Sequence, residues 1–142
     1  MTSLIARFFG VTVIDCGAGL SGDLQQEVLG GAHAHVLVTP ATPDGALSAR
    51  RALDWLADAH AEVAVRTAVV FVAHASDAGV DYDRAARTLP PWVADLIRLG
   101  FDRHLADGSV IDPARLAEPS RVTALRTAAR ALTLATGRDA GS

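Results

Sequence analysis

His35-Val36-Leu37-Val38-Thr39-Pro40-Ala41-Thr42-Pro43-Asp44 carries the reading of the fold. Its first five residues hold the unbroken apolar run Val36-Leu37-Val38, which does not alternate with polar residues, the pattern of a strand covered on both faces in a parallel sheet. Thr42-Pro43-Asp44 then opens a helix, with proline at the first helical position, where a missing N–H costs nothing. In that helix Ala46, Ala49, Leu53 and Leu56 recur at three- and four-residue steps, while Arg50, Arg51, Asp54 and Asp58 take the other side, with Arg50 and Asp54 one turn apart. A strand running straight into an amphipathic helix is the repeating unit of a layered α/β domain.

Two more runs read the same way: Val11-Thr12-Val13-Ile14 and Ala68-Val69-Val70-Phe71-Val72. Ser21 is placed to cap a short helix through Leu24 and Val28 that stops at Gly30-Gly31. Residues 83–89 look helical and Pro90-Pro91 ends them. Residues 92–99 fit a helix by the spacing of Val93, Leu96 and Ile97, or a strand ending Leu96-Ile97-Arg98-Leu99; pattern alone does not separate the two. A closing helix is expected after Pro119-Ser120, with Val122, Leu125, Ala129 and Leu132 as its buried stripe, Arg126 and Arg130 outside, and Gly137 as its stop. Residues 1–137 are therefore expected to form a single α/β domain, and residues 138–142 a disordered tail.

Composition narrows the chemistry. The 142 residues carry a net charge of −3, and all 13 basic residues are arginine. With no lysine, Schiff-base catalysis is excluded, and so is a glycine-rich phosphate loop of the GK[ST] kind. One cysteine, Cys16, closes no internal disulfide, and no Cys/His set has zinc spacing, which points to a cytoplasmic chain. No run approaches the roughly 20 apolar residues of a membrane span, and residues 1–10 are too short and weakly patterned for a secretory signal. Nothing in the charge pattern signals nucleic acid.

The sharpest local feature is Val11-Thr12-Val13-Ile14-Asp15-Cys16-Gly17-Ala18-Gly19-Leu20, an apolar run that ends in a carboxylate and turns at once through glycines. Ligands of open α/β sheets bind beyond the carboxyl ends of the strands. Asp15 is thus placed either to hold Mg²⁺ through water or simply to cap the turn that follows.

This stretch resembles the Walker B and switch region of the MinD/ParA family of deviant-Walker P-loop ATPases, especially actinobacterial MinD-like members associated with type VII secretion. Residues 35–56 resemble that family's next strand, its Thr/Asn-Pro turn and the following helix. The run at 68–72 is similar to the strand before the base-contacting residue, and Phe101-Asp102-Arg103-His104-Leu105-Ala106-Asp107-Gly108 resembles the segment after the last strand. The similarity spans about residues 8–135 but only the C-terminal half of such an ATPase. It implies a three-layer, doubly wound, mostly parallel sheet, an incomplete P-loop NTPase fold, with ATP and Mg²⁺ as cofactors. Position by position, Asp15 would be the Mg²⁺-side carboxylate and Gly17, Ala18 and Gly19 the switch backbone. Thr39 and Pro40 would lie in the turn after the next strand. The segment around Ala73 and His74, with Gly100, Phe101 and Asp102, would approach the adenine. Catalytic residues are not identified.

The departures are as informative. The phosphate loop, with its lysine, its Mg²⁺-binding Ser/Thr and its strand, is absent, as is the base-contacting asparagine expected near Ala73, and Gly100 stands where the family often has proline. Hydrolysis by this chain alone would lack the groups that neutralise phosphate charge in the transition state. The missing strand would leave a gap between neighbours that must lie about 4.8 Å apart to bond. Residues 11–14 and 36–39 would then pair directly, or residues 2–9 or a partner chain would fill in. A protein partner or self-association is expected.

Other candidates have plainer alternatives. Cys16 reads as a thiol nucleophile served by His33, His35, His74 or His104, or as a small core residue. His33 and His35 read as metal ligands lacking a third member, or as structural. Trp55 and Trp92 read as partner anchors or core-edge residues. Arg50, Arg51, Arg126 and Arg130 form a basic face for an anionic partner, or a solvated one. Three readings follow: a MinD/ParA-like ATPase-family protein in positioning, partition or secretion whose nucleotide site is incomplete in this chain; a non-catalytic interaction module that kept the fold; or a truncated family member.

Overall fold

The computed structural model describes residues 10–18, 23–76, 81–93 and 96–137, with side chains not described for 23–26. The chain divides into two compact units, Met1–Ala32 and His33–Ser142.

In the first unit a helix, α1, runs Asp23–Gly31 and stops at the expected glycines; Ser21, its expected cap, lies outside the described residues. The strand expected at residues 11–14 is not formed. That segment has neither strand nor helix and is exposed, Val13 to 90%. β-branched residues favour a pleated, half-buried surface, but a strand exists only where a neighbour pairs its backbone. Cys16, read as a core residue in one alternative, is also exposed.

The second unit holds the sheet. β1 (His35–Pro40) leads through the N-cap Thr42 and Pro43 into α2 (Pro43–Ala59), followed by α3 (Ala61–Ala64) and β2 (Thr67–Val72). Next come α4 (Tyr82–Thr88), β3 (Leu96–Leu99) and α5 (Arg103–Ala106), then a 3-10 turn (Pro113–Arg115) and α6 (Glu118–Thr136). Residues 96–99 are thus the strand of the two readings left open.

The strands pair in parallel in the order β1-β2-β3, with Val36 opposite Ala68 and Val70 opposite Ile97. This is an α/β open parallel sheet flanked by helices. A doubly wound sheet also needs a point where strand order reverses; these three strands run in one order.

Successive right-handed crossovers that advance in one direction put their helices on one face. Accordingly, Ala46, Ala49 and Leu53 of α2 and Ala85 of α4 share one buried cluster with Val69 and Phe71 of β2. Ala46, Ala49, Leu53 and Leu56, the stripe expected for α2, are all buried. Arg50 Nε donates to both Asp54 oxygens at 3.0 and 2.8 Å, and Arg50 also donates to Thr88 O at 3.1 Å, tying α2 to the end of α4. Ala68, Val70 and Ile97 are buried too, and by strand alternation they lie on the opposite face of the sheet. α6 contacts β2 and β3.

α6 departs from its expected orientation. Ser120 is buried, the Thr123 hydroxyl donates to Arg98 O of β3 at 3.3 Å, and Thr127, Arg130, Ala131 and Leu134 are half-buried. Val122, Leu125 and Leu132, the stripe expected to be buried, are 58%, 72% and 51% exposed, and Ala129 is exposed as well. At 100° per residue the two sets lie on nearly opposite sides of the helix. Periodicity marks an apolar face but does not say what meets it.

Gly45 is the tightest point. A Cβ there would fall well inside contact distance of the Pro40 carbonyl oxygen and 3.1 Å from the Thr39 hydroxyl. Alanine is the better helix former by about 1 kcal/mol, whereas overpacking against backbone costs about 1–3 kcal/mol, so the clash dominates. Gly45→Ala is expected to lower unfolding free energy by about 2 kcal/mol in urea titrations; equal or higher stability would contradict this packing.

Candidate functional site

The carboxyl ends of the strands form one rim. Pro40 is in register with Val72, and Val72 with Leu99; Ala41 N donates to Val72 O at 2.8 Å and Ala73 N to Leu99 O at 2.9 Å. The ladder therefore brings Thr39 and Pro40, Ala73 and His74, and Gly100, Phe101 and Asp102 to the same edge. Asp15, Gly17 and Ala18 belong to the other unit, and Gly19 lies outside the described residues.

Each polar group at the rim has a specific attachment. Thr39 is buried, and its hydroxyl donates to Gly45 O at 2.9 Å. The Thr42 hydroxyl accepts from Gly45 N at 3.0 Å, capping α2 as the sequence predicts. Together these bonds fasten the end of β1 to the first turn of α2. His74 is exposed and Phe101 half-buried.

Asp102 is the most constrained acid of the rim. It is buried; Oδ1 accepts from His104 N at 2.9 Å and Leu105 N at 3.5 Å, and Oδ2 from Ala117 N at 2.9 Å. The Ser120 hydroxyl and then the Ala117 N–H hold its carboxyl below the usual range against the opposing effect of burial, with the His104 and Leu105 N–H groups assisting. One carboxylate thus caps α5 and anchors the start of α6. Buried His104 Nε2 accepts from Asp112 N at 2.8 Å, so the chain between α5 and α6 is gripped at both Asp112 and Ala117. His104 Nδ1 is buried and has no hydrogen-bond partner among the described residues.

His104 and Ser120 were not singled out together with Asp102 by sequence. An aspartate between a strand and a helix is an N-cap signal, but the return of Ser120 to the same carboxylate depends on a connection that only the folded chain closes.

Tyr82 donates to Leu99 O at 3.3 Å, and Arg98 lies 5.4 Å from its ring centre while bonding Asp83 at 2.6 Å. Burial raises the Tyr82 phenol, and the Arg98 charge opposes it.

Among the described residues, those assigned to Mg-ATP show no metal-binding arrangement. Asp15 stands on an exposed segment outside any strand, and its Oδ1 accepts from Gly17 N at 2.9 Å, closing a local turn at the left-handed Gly17. That is the turn contact of the cap alternative. Among the described residues no group of three or more His, Cys, Asp or Glu is arranged to hold a metal ion, which also bears on His33 and His35. The Asp102 oxygens are already engaged by backbone and hydroxyl donors.

Trp55 is half-buried and stacks edge-on with His60 at 5.2 Å, while Trp92 is 40% exposed. Among the described residues no helix is long and apolar enough to cross a membrane. Comparison with protein-family models, curated proteins and solved structures finds no match.

The carboxyl of Asp102 binds its proton less readily folded than unfolded. Its stabilising contribution is therefore complete above the unfolded value, about 4, and is lost as pH falls through the lower folded value. Asp102→Asn replaces an acceptor oxygen with an amide donor facing N–H groups. Urea unfolding from pH 7 to 3 is expected to show the variant less stable at pH 7 and flatter below about pH 4; an unchanged acid limb would contradict the role given to this carboxyl.

Proposed function

We propose that this chain is a MinD/ParA-like α/β domain serving as an interaction module, without nucleotide turnover of its own. The kinship reading is supported by the order in which three parallel strands deliver Thr39-Pro40, Ala73-His74 and Phe101-Asp102 to one rim. The observation that carries the functional reading is the commitment of the rim's polar groups. The Thr39 hydroxyl is spent on Gly45 O and the Asp102 oxygens on backbone and Ser120, so these groups hold the fold together.

The absence of lysine acts in the same direction, because the phosphates of a bound nucleotide would meet no ammonium from this chain. A role in positioning, partition or secretion then rests on what the domain binds. A protein partner or self-association is the form such a role takes, within the cytoplasm.

Isothermal titration of the full chain with Mg-ATP is expected to show no binding tighter than about 1 mM. Micromolar binding would overturn the module reading in favour of an ATP-dependent family member.

A further inference from the structure

β1 lies at the edge of the sheet, and its outer side is open. His35 N donates to Arg66 O and Ala41 N to Val72 O, so alternate residues from His35 onward turn their backbone groups toward β2. The N–H and C=O of Val36 and Val38 therefore point away from the sheet, and among the described residues nothing bonds them. Their side chains are open as well. Leu37 and Thr39 pack toward α2, which puts Val36 and Val38 on the other face, 39% and 61% exposed. A row of unpaired donors and acceptors is a template for a further strand, so the backbone, and not the apolar face alone, says what kind of occupant fits.

The far edge is guarded by contrast. On β3 the outward residue is Arg98, whose carbonyl accepts from the Thr123 hydroxyl at 3.3 Å and whose guanidinium pairs with Asp83. β1 has no such device, and His35–Pro40 holds no Asp, Glu or Arg. A second copy adding its β1 to β3 would break the Thr123 bond and leave free edges for an open filament. An antiparallel copy of β1 does neither. With a twofold axis at Leu37, Val36 faces Val38 of the second copy and Val38 faces its Val36, each pair exchanging both backbone bonds. Pro40 sets this register. Centring on Val38 would set Val36 against a residue with no N–H, and centring on Val36 would call on Ala34, before the strand. The axis is perpendicular to the sheet and keeps like faces together, so the exposed valines become β-branched cross-strand pairs and no like charges meet. We propose that two copies of this chain join edge to edge through β1, antiparallel and centred on Leu37, so that their sheets become one.

As the partner of the interaction module, the second copy rests on that reading for its purpose. The dimer itself is tested without nucleotide, so its failure and that of the module reading are told apart. Sedimentation equilibrium of the full 14.8 kDa chain from about 1 μM to about 1 mM is expected to show the mass rising toward that of a dimer. Val38→Lys is expected to weaken association at least about tenfold, because lysine on an edge blocks pairing. It is expected to keep the wild-type circular dichroism, since Val38 is 61% exposed and its backbone groups are not used by β2. A second measurement does not depend on that variant. On a Cys16→Ser background, Leu37→Cys is expected to give a covalent dimer on mild oxidation, because directly opposed residues of a non-hydrogen-bonded pair have Cα atoms about 4.5 Å apart. Val36→Cys alone is expected not to cross-link, its copies lying beyond the roughly 7 Å limit for a disulfide. A monomer at every concentration would overturn the proposal, as would cross-linking at Val36→Cys but not at Leu37→Cys. So would a dimer that Val38→Lys leaves intact while Leu125→Asp or Val13→Glu dissolves it, which would move the interface to α6 or to residues 11–14.

Discussion

β2 has no solvent-facing side. It pairs with β1 on one edge and β3 on the other, and Ala68, Val69, Val70 and Phe71 are buried in succession. A strand enclosed in this way needs apolar side chains in both directions and an outlet for every backbone N–H and C=O, which only flanking parallel strands and helical layers supply. The positions of α2 and α4 follow from that requirement. The two crossovers carry the chain across the sheet in one sense and leave their helices against Val69 and Phe71.

The return to the other face is governed by Asp102. Its carboxylate ends the β3 connection, caps α5 and takes the Ala117 N–H and Ser120 hydroxyl at the start of α6. Charge-assisted bonds to a buried carboxylate are about twice as strong as neutral ones, and here they set where a long helix begins. With Ser120 held at Asp102 and Thr123 bonded to Arg98 O, the rotation of α6 about its axis is determined by polar contacts in its first two turns. Val122, Leu125, Ala129 and Leu132 lie on the exposed side of that helix. The same atoms that a nucleotide-binding reading assigns to adenine therefore act as a structural joint.

Much of this was legible in the residues. The continuous apolar run 68–72 marked a strand, and Thr42-Pro43-Asp44 marked the start of α2, because local geometry and capping act over a few residues. The stripe of α2 faces where its spacing points, since that helix has one apolar side and one charged side. Residues 11–14 carry as strong a β signal as 35–39, yet only the second run is a strand. Propensity describes a chain's readiness to pair and is silent on whether a neighbour exists.

By itself, then, the sequence determined the element types wherever a short-range cause sufficed: caps, breakers, helical period and fully apolar strands. It also settled that no lysine is present to meet a phosphate. The tertiary structure alone decided which run found a ladder, which reading of residues 92–99 prevailed at its end, and which side of α6 met the sheet. Those outcomes depend on bonds between residues far apart in the chain, such as Arg98 with Thr123 and Asp102 with Ala117. No local pattern encodes them, because the energy of each contact exists only once both ends have been brought together.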